Sequence, residues 1–466
     1  MNEDMLAKKI DEYLDQNWEQ IVEDINTLVS INSVEDLDHA SEGAPYGPGP
    51  RAALDAALNI AQRMGFKPCN CEGYIGYADL PGKSETQIGI IGHTDVVPEA
   101  TGWDFKPFAV TRKDGYLIGR GVLDDKGPLM VALHAVNLFK ELGEELPYTV
   151  RVLFGCNEET GMGDVAYYRK HYKDPAFLFT PDADFPVGYG EKGGLDGVFT
   201  SAKIKDGNIL ELQGGVAGNA VPARAYAIVS AAIEDLPCAE NIKLTPCEKG
   251  VQIEACGKAG HASLPQGTKN AIAILLQYLI DAHLCNEQEQ AFFEMVLPML
   301  TDYTGSCVEI NSEDEYFDPL TIIGGIIELK DGIIKQYIDI RYPTSITSEQ
   351  LEEKLSKQAK KAQAKFDIKM LMPPFLVKPD TPMIQALLDS YNEVTGKNGK
   401  PFTMGGGTYA RHFTSAASFG PNCPWVENPE WVGSEHSANE GVKEEILKDA
   451  FKIYAFTIYK LMQIDF

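Results

Sequence analysis

Acid-bearing segments set at the ends of successive short apolar runs limit what this chain can fold into more than any other feature. His93 closes the apolar segment Ile88-Gly-Ile-Ile91, and Asp95 follows two residues on, where strand period puts both side chains on one face. Asp124-Asp125 stands in Gly-Arg-Gly-Val-Leu-Asp-Asp-Lys-Gly-Pro128, ahead of a helix. Glu158-Glu159 follows Val150-Arg-Val-Leu-Phe154, and Asp182 follows Phe177-Leu-Phe179-Thr-Pro; His436 comes far downstream. Taken singly, an acid after a strand is more often a loop residue or a helix cap. Taken together, the series marks the carboxyl edge of a sheet in an open α/β fold, where ligands bind. Two neutral imidazoles and several carboxylates converging there can hold two divalent cations about 3.5–4 Å apart, one carboxylate bridging them.

At 466 residues the chain exceeds one ordinary core, so two domains are expected. A hydrophobic share of 44% with 23% charged residues indicates a folded, soluble chain. The formal charge of -27 argues against a sequence-independent grip on nucleic acid or on an anionic membrane, both of which need clustered Lys and Arg. The segment Met1-Asn-Glu-Asp-Met-Leu-Ala-Lys-Lys-Ile10 lacks the basic start and apolar stretch of a signal peptide, and no apolar run approaches a membrane span. Nine cysteines without a C-x-x-C pair suggest reduced thiols, so a cytoplasmic location is expected.

Apolar residues at Leu6, Ile10, Leu14, Trp18, Ile21, Ile25 and Leu28 predict a packing helix over 6–29. A Gly/Pro-rich loop, 43–50, leads to a second helical stretch from Arg51 to Met64. Strands near 88–91, 150–154 and 177–179, with a helix that Pro128 begins, read as βαβ units of a largely parallel sheet. From about residue 190 the texture becomes α+β: strands at 251–256 and 333–340, helices around 270–282 and 348–363. Pro373-Pro374 and Lys378-Pro379 look like a return linker, and Thr381-Pro382 opens the next helix. The expected organisation is a discontinuous α/β domain, 1–189 and 379–466, with a second domain, 190–378, inserted into it.

Here the motifs become specific. His-Thr-Asp-Val-Val-Pro, Gly-Arg-Gly-x-x-Asp-Asp-Lys-Gly-Pro, the Glu-Glu pair, Thr-Pro-Asp-Ala-Asp-Phe-Pro and the late His resemble the co-catalytic metallopeptidase family of glutamate carboxypeptidase, aminoacylase and succinyl-diaminopimelate desuccinylase. Asn157-Glu-Glu-Thr-Gly-Met162, Glu191-Lys-Gly193 and Gly405-Gly-Gly-Thr-Tyr-Ala-Arg411 are most similar to its bacterial dipeptidase V branch, the Xaa-His dipeptidase or carnosinase-like branch. The resemblance implies a mostly parallel catalytic domain of the zinc-exopeptidase type with an α+β lid. It makes His93, Asp124 and Asp182 the ligands of one ion and Asp124, Glu159 and His436 those of the other, zinc foremost, with manganese or cobalt as alternatives. Glu158 becomes the general base, Asp95 the residue that orients His93, and the Asp124–Asp125 peptide is expected to be cis. His261, in Gly-Lys-Ala-Gly-His-Ala-Ser263, matches an oxyanion-stabilising histidine, while Asn219 and Arg341 match substrate-binding positions.

The implied reaction is hydrolysis of unblocked dipeptides and very short peptides, by a metal-bridging hydroxide that Glu158 generates and with His261 supporting the oxyanion. A planar two-pronged partner such as Arg341 suits the substrate carboxylate, and Gly406, Gly407 and Arg411 are further candidates near it. His39, His134, His171, His283 and His412 fall in no usable motif and read as structural. Neither a G-x-S-x-G elbow nor an H-E-x-x-H helix is present. The nearest alternative is a deacylase or desuccinylase of the same family, which would need a blocked amine where a dipeptidase needs a free one. A metal-binding scaffold on a dead enzyme is the other, and the intact Glu158 argues against it. The inserted segment looks too long for a histidine exchanged between subunits, so a monomer that closes over its substrate is expected.

Overall fold

The computed structural model describes residues 2–466 and divides into two compact units, one comprising Met1–Gly190, Leu376–Phe402 and Gly407–Phe466, the other Glu191–Phe375 with Thr403–Gly406. In the first unit the strands run in the order Cys69–Cys71, Ile75–Leu80, Tyr148–Gly155, Ser84–His93, Phe177–Thr180, Ala416–Ser418 and Gly188–Glu191. The four from Tyr148–Gly155 to Ala416–Ser418 are mutually parallel, and antiparallel neighbours flank them on both sides. Ile88, Ile90, Ile91, Val150, Val152, Leu153 and Phe177 are all fully buried, as near-continuous apolar strands must be when both faces of a parallel sheet are covered.

The helix Glu3–Val29 buries Leu6, Ile10, Leu14, Trp18, Ile21, Ile25 and Leu28, the stripe its spacing predicts, and Asn2 caps it by accepting the Met5 N–H. Helix Lys126–Leu142 packs on the Ser84–His93 strand and against helices Glu3–Val29 and Glu444–Leu461. Its close approach depends on Gly92, where a Cβ would stand 2.2 Å from an Asp125 carboxylate oxygen. No helix among the described residues is long and apolar enough to cross a membrane.

The second unit is an antiparallel sheet of eight strands, ordered Ile242–Cys247, Gly250–Cys256, Arg224–Val229, Ile209–Gly214, Thr321–Lys330, Ile333–Tyr342, Gly193–Thr200 and Lys365–Met372. Helices Ala271–Asp281, Glu287–Val296 and Ser348–Lys360 contribute to its core with Leu275, Leu276, Leu279, Phe292, Phe293 and Leu351. Beside this sheet a short ribbon pairs Ala220–Val221 with Gly260–His261.

Candidate active site and metal centre

The parallel strands of the first unit deliver their functional side chains from one edge. His93 is the last residue of its strand, Glu158-Glu159 follow Tyr148–Gly155, and Asp182 follows Phe177–Thr180. Asp124 lies just before helix Lys126–Leu142, joined to Asp125 by a cis peptide, and His436 sits in a loop with φ +61°. The two oxygens of Asp124 face two different imidazoles: Oδ1 lies 2.9 Å from His93 Nε2 and Oδ2 lies 2.8 Å from His436 Nε2. His436 Nε2 is also 3.1 Å from Glu159 Oε2, and His93 Nε2 is 3.7 Å from Asp182 Oδ2. Donor atoms of His93, Asp124 and Glu159 lie within 4.8 Å of one another, as do those of His93, Glu158 and Asp182. Glu158 therefore shares the immediate space of the ligand candidates.

Nδ1 of His93 meets the backbone carbonyl of Asp95 at 3.0 Å and its carboxylate at 3.5 Å. A proton on Nδ1 directed at that carbonyl leaves the Nε2 lone pair facing Asp124. The orienting contact is thus the main chain of Asp95 more than its side chain, which instead accepts the Glu159 N–H at 3.2 Å.

The electrostatics describe a cluster short of positive charge. Burial and Asp182 push Glu158 well above the carboxylate range, burial and Asp124 raise Glu159, and the same two causes push Asp182 up to about 7. His436 is driven up to about 11 by its hydrogen bonds to Asp124 and Glu159. Burial opposes protonation of His93, yet Asp124 and Asp95 raise it well above the ordinary histidine value. Acids crowded around two imidazoles in this way favour added positive charge at this edge. Glu159 Oε1 is buried without a hydrogen-bond partner, and the donor set is nitrogen and oxygen without thiolate. These features fit divalent ions of the zinc or manganese kind.

Further residues hold this edge in place. Asp164 accepts the N–H groups of Cys156 at 2.8 Å and Asn157 at 3.0 Å and the hydroxyl of Tyr409, and so fixes the turn that carries Glu158 and Glu159. Asp125 Oδ2 accepts the His93 N–H at 3.2 Å. His134 belongs to a buried structural network, 2.9 Å from Asp24 and 3.0 Å from the Tyr13 hydroxyl. Gly407 lets the Arg411 guanidinium lie across the backbone, since a Cβ there would stand 2.2 Å from Nη1.

In the second unit, His261 pairs with Ala220 across the short ribbon, next to Asn219, whose carbonyl accepts the Ala262 N–H at 2.9 Å. Ser263 donates its N–H to His261 Nδ1 at 3.2 Å, and its hydroxyl is 2.7 Å from the same nitrogen. Nδ1 is then an acceptor, which places the proton of the neutral ring on Nε2. Burial and the nearby Arg341 both lower the His261 pKa. Arg341 is buried and gripped along its Nε–Nη2 edge by Asp339, at 2.8 and 2.7 Å. That fork is already occupied, so Nη1 is the part of the guanidinium left for a ligand. Asp196, opposite Asp339 across the strand pair, is pushed up to about 6 by burial and by Asp339. Gly405 comes close to the His261 turn, since a Cβ there would be 2.6 Å from Ser263 Cβ, while Gly406 has open space around it.

Comparison with known proteins places the chain in a family. Residues 89–460 match the description of Peptidase family M20/M25/M40. A Beta-Ala-Xaa dipeptidase of Lactobacillus delbrueckii subsp. lactis is 31% identical over 459 residues, 95% of this chain and 96% of that protein. Among solved structures, human carnosine dipeptidase 1 superposes with a TM-score of 0.56 at 15% identity, covering 98% of this chain and 100% of the other. Aminoacylhistidine dipeptidase from Vibrio alginolyticus gives 0.58 at 14% identity, covering 94% and 96%. With the family's description running through nearly every segment that carries the site, the chain belongs to peptidase family M20/M25/M40 and is a peptide hydrolase.

Proposed function

We propose that the protein is a dinuclear-metal dipeptidase acting on unblocked dipeptides and very short peptides. The observation that carries this reading is the Asp124 carboxylate, whose two oxygens address His93 and His436 separately while Glu158 stands beside His93 and Asp182. The relative named Beta-Ala-Xaa dipeptidase supports the substrate class. His93, Asp124 and Asp182 would hold one ion and Asp124, Glu159 and His436 the other. Two such ions, zinc foremost, supply Lewis-acid polarisation of the scissile carbonyl and acidify a water.

The chain's own residues do the rest. Glu158 accepts the proton of the attacking water and returns it to the leaving amine. His261 offers Nε2–H to the developing oxyanion, and Ser263 keeps that tautomer. Arg341 presents Nη1 to the substrate carboxylate with its plane fixed by Asp339; Asn219, Gly406, Gly407 and Arg411 complete substrate binding.

Hydrolysis of a dipeptide panel, beside the same peptides with acetylated amines, after metal removal and reconstitution with zinc, manganese or cobalt, tests the reading. Cleavage of free dipeptides alone is expected, and only with metal. Preferential cleavage of the acetylated series would make the protein a deacylase.

A further inference from the structure

Glu440 and Arg120 are almost completely buried, at 0% and 1% exposure, yet neither is a ligand candidate. Glu440 Oε2 accepts Arg120 Nη1 at 2.6 Å. Its other oxygen accepts three main-chain donors of the Asp124 loop: Gly121 at 3.0 Å, Leu123 at 3.1 Å and Asp124 itself at 3.2 Å. From the far side of the pair, Arg120 Nη2 reaches the carbonyls of Pro98 at 3.4 Å and His436 at 3.3 Å. One ion pair thus ties the loop that carries Asp124 to the loop that carries His436, four residues before Glu440.

Stability alone is a weak reason to bury such a pair, because well-packed apolar residues of similar volume often serve equally well. Placement is a better one. The Asp124 carboxylate must hold one oxygen toward each imidazole, which requires its own main chain to be fixed. His436 has φ +61°, a left-handed conformation uncommon outside glycine. The clamp supplies both constraints at once.

We infer that Arg120 and Glu440 are positioning residues which preset the distance between Asp124 and His436, and so set the affinity of the second ion without touching it. This rests on the two-ion reading above. Asp124 serves both ions, but the other ligands of the first, His93 at its strand end and Asp182, have supports of their own, so the effect is larger at the ion shared with His436.

Arg120→Lys keeps the charge and loses the two-carbonyl grip, while Glu440→Gln keeps the shape and an acceptor oxygen. Calorimetric titration of zinc into metal-free protein, with circular dichroism to confirm folding, compares both with the parent chain. The parent should take two equivalents. In the variants one equivalent should weaken roughly 10–100-fold and the other much less, and turnover should return when zinc is raised to fill the weakened site. Two equivalents at parental affinity in both folded variants, or both equivalents weakened alike, would overturn the inference. Fewer than two equivalents in the parent would remove the two-ion reading itself. If Glu440→Gln fails to fold, Arg120→Lys alone decides between these results.

Discussion

At the scale of single residues, neighbouring side chains are given different work. Glu158→Ala is expected to retain both ions and lose turnover, whereas Glu159→Ala should lose occupancy of the ion shared with His436. Metal analysis beside steady-state rates checks this, and normal stoichiometry in both variants would sink the division. His261→Ala removes one oxyanion donor, which should lower kcat by roughly 10²–10³ with metal content normal. Asp339→Asn loosens the grip on Arg341, so KM for dipeptides should rise by about tenfold, the value of one charge-assisted hydrogen bond, while kcat changes little. Much of this scale was legible in the sequence, because His93, Asp124, Glu158, Asp182 and His436 each sit in a motif or at the end of an apolar run. Asp339 could have been noticed, standing two residues from Arg341 in a strand and hence on the same face. Glu440 gave no such sign: its partners, the Arg120 side chain and three main-chain groups, lie more than three hundred residues earlier in the chain, and hydrogen bonds to a backbone leave no trace in residue type.

At the scale of elements, the turn between strand Tyr148–Gly155 and helix Gly163–His171 decides whether the Glu158-Glu159 pair is aimed correctly. Asp164→Ala strips that turn of an acceptor shared by two N–H groups and the Tyr409 hydroxyl. Leaving buried donors unpaired costs about 1–3 kcal/mol each, so a stability loss of about 3 kcal/mol is expected in denaturant unfolding, with weakened metal binding. A surface cap offers the contrast. Asn286→Ala removes the reciprocal capping box of helix Glu287–Val296 and should cost about 1 kcal/mol with kcat unchanged. Helices such as Glu3–Val29 announce themselves through a buried stripe of period 3.6, and the parallel strands through unbroken apolar runs. Helix Glu287–Val296 and most strands of the second unit escape such reading. Several of that unit's strands alternate with only one face on a core, as in Arg224–Val229, and the pattern is short and easily masked by composition.

At the scale of the whole molecule, the expectation of a monomer predicts that mixing inactive His261→Ala with inactive Glu158→Ala restores no activity. Substantial recovery would mean that histidines are exchanged between copies. One feature of the sheet also bears on how the protein comes into being. Ala416–Ser418 slots between Phe177–Thr180 and Gly188–Glu191, pairing with both. Thr180 and Ser418 are 238 residues apart (418 − 180), so at about 5–20 residues per second a ribosome leaves that gap in the sheet for roughly 12–48 seconds. His436 emerges later still. A nascent chain therefore carries most of a hydrolytic centre for many seconds without its last ligand, and peptide cutting is withheld until the strand that closes the sheet has been made.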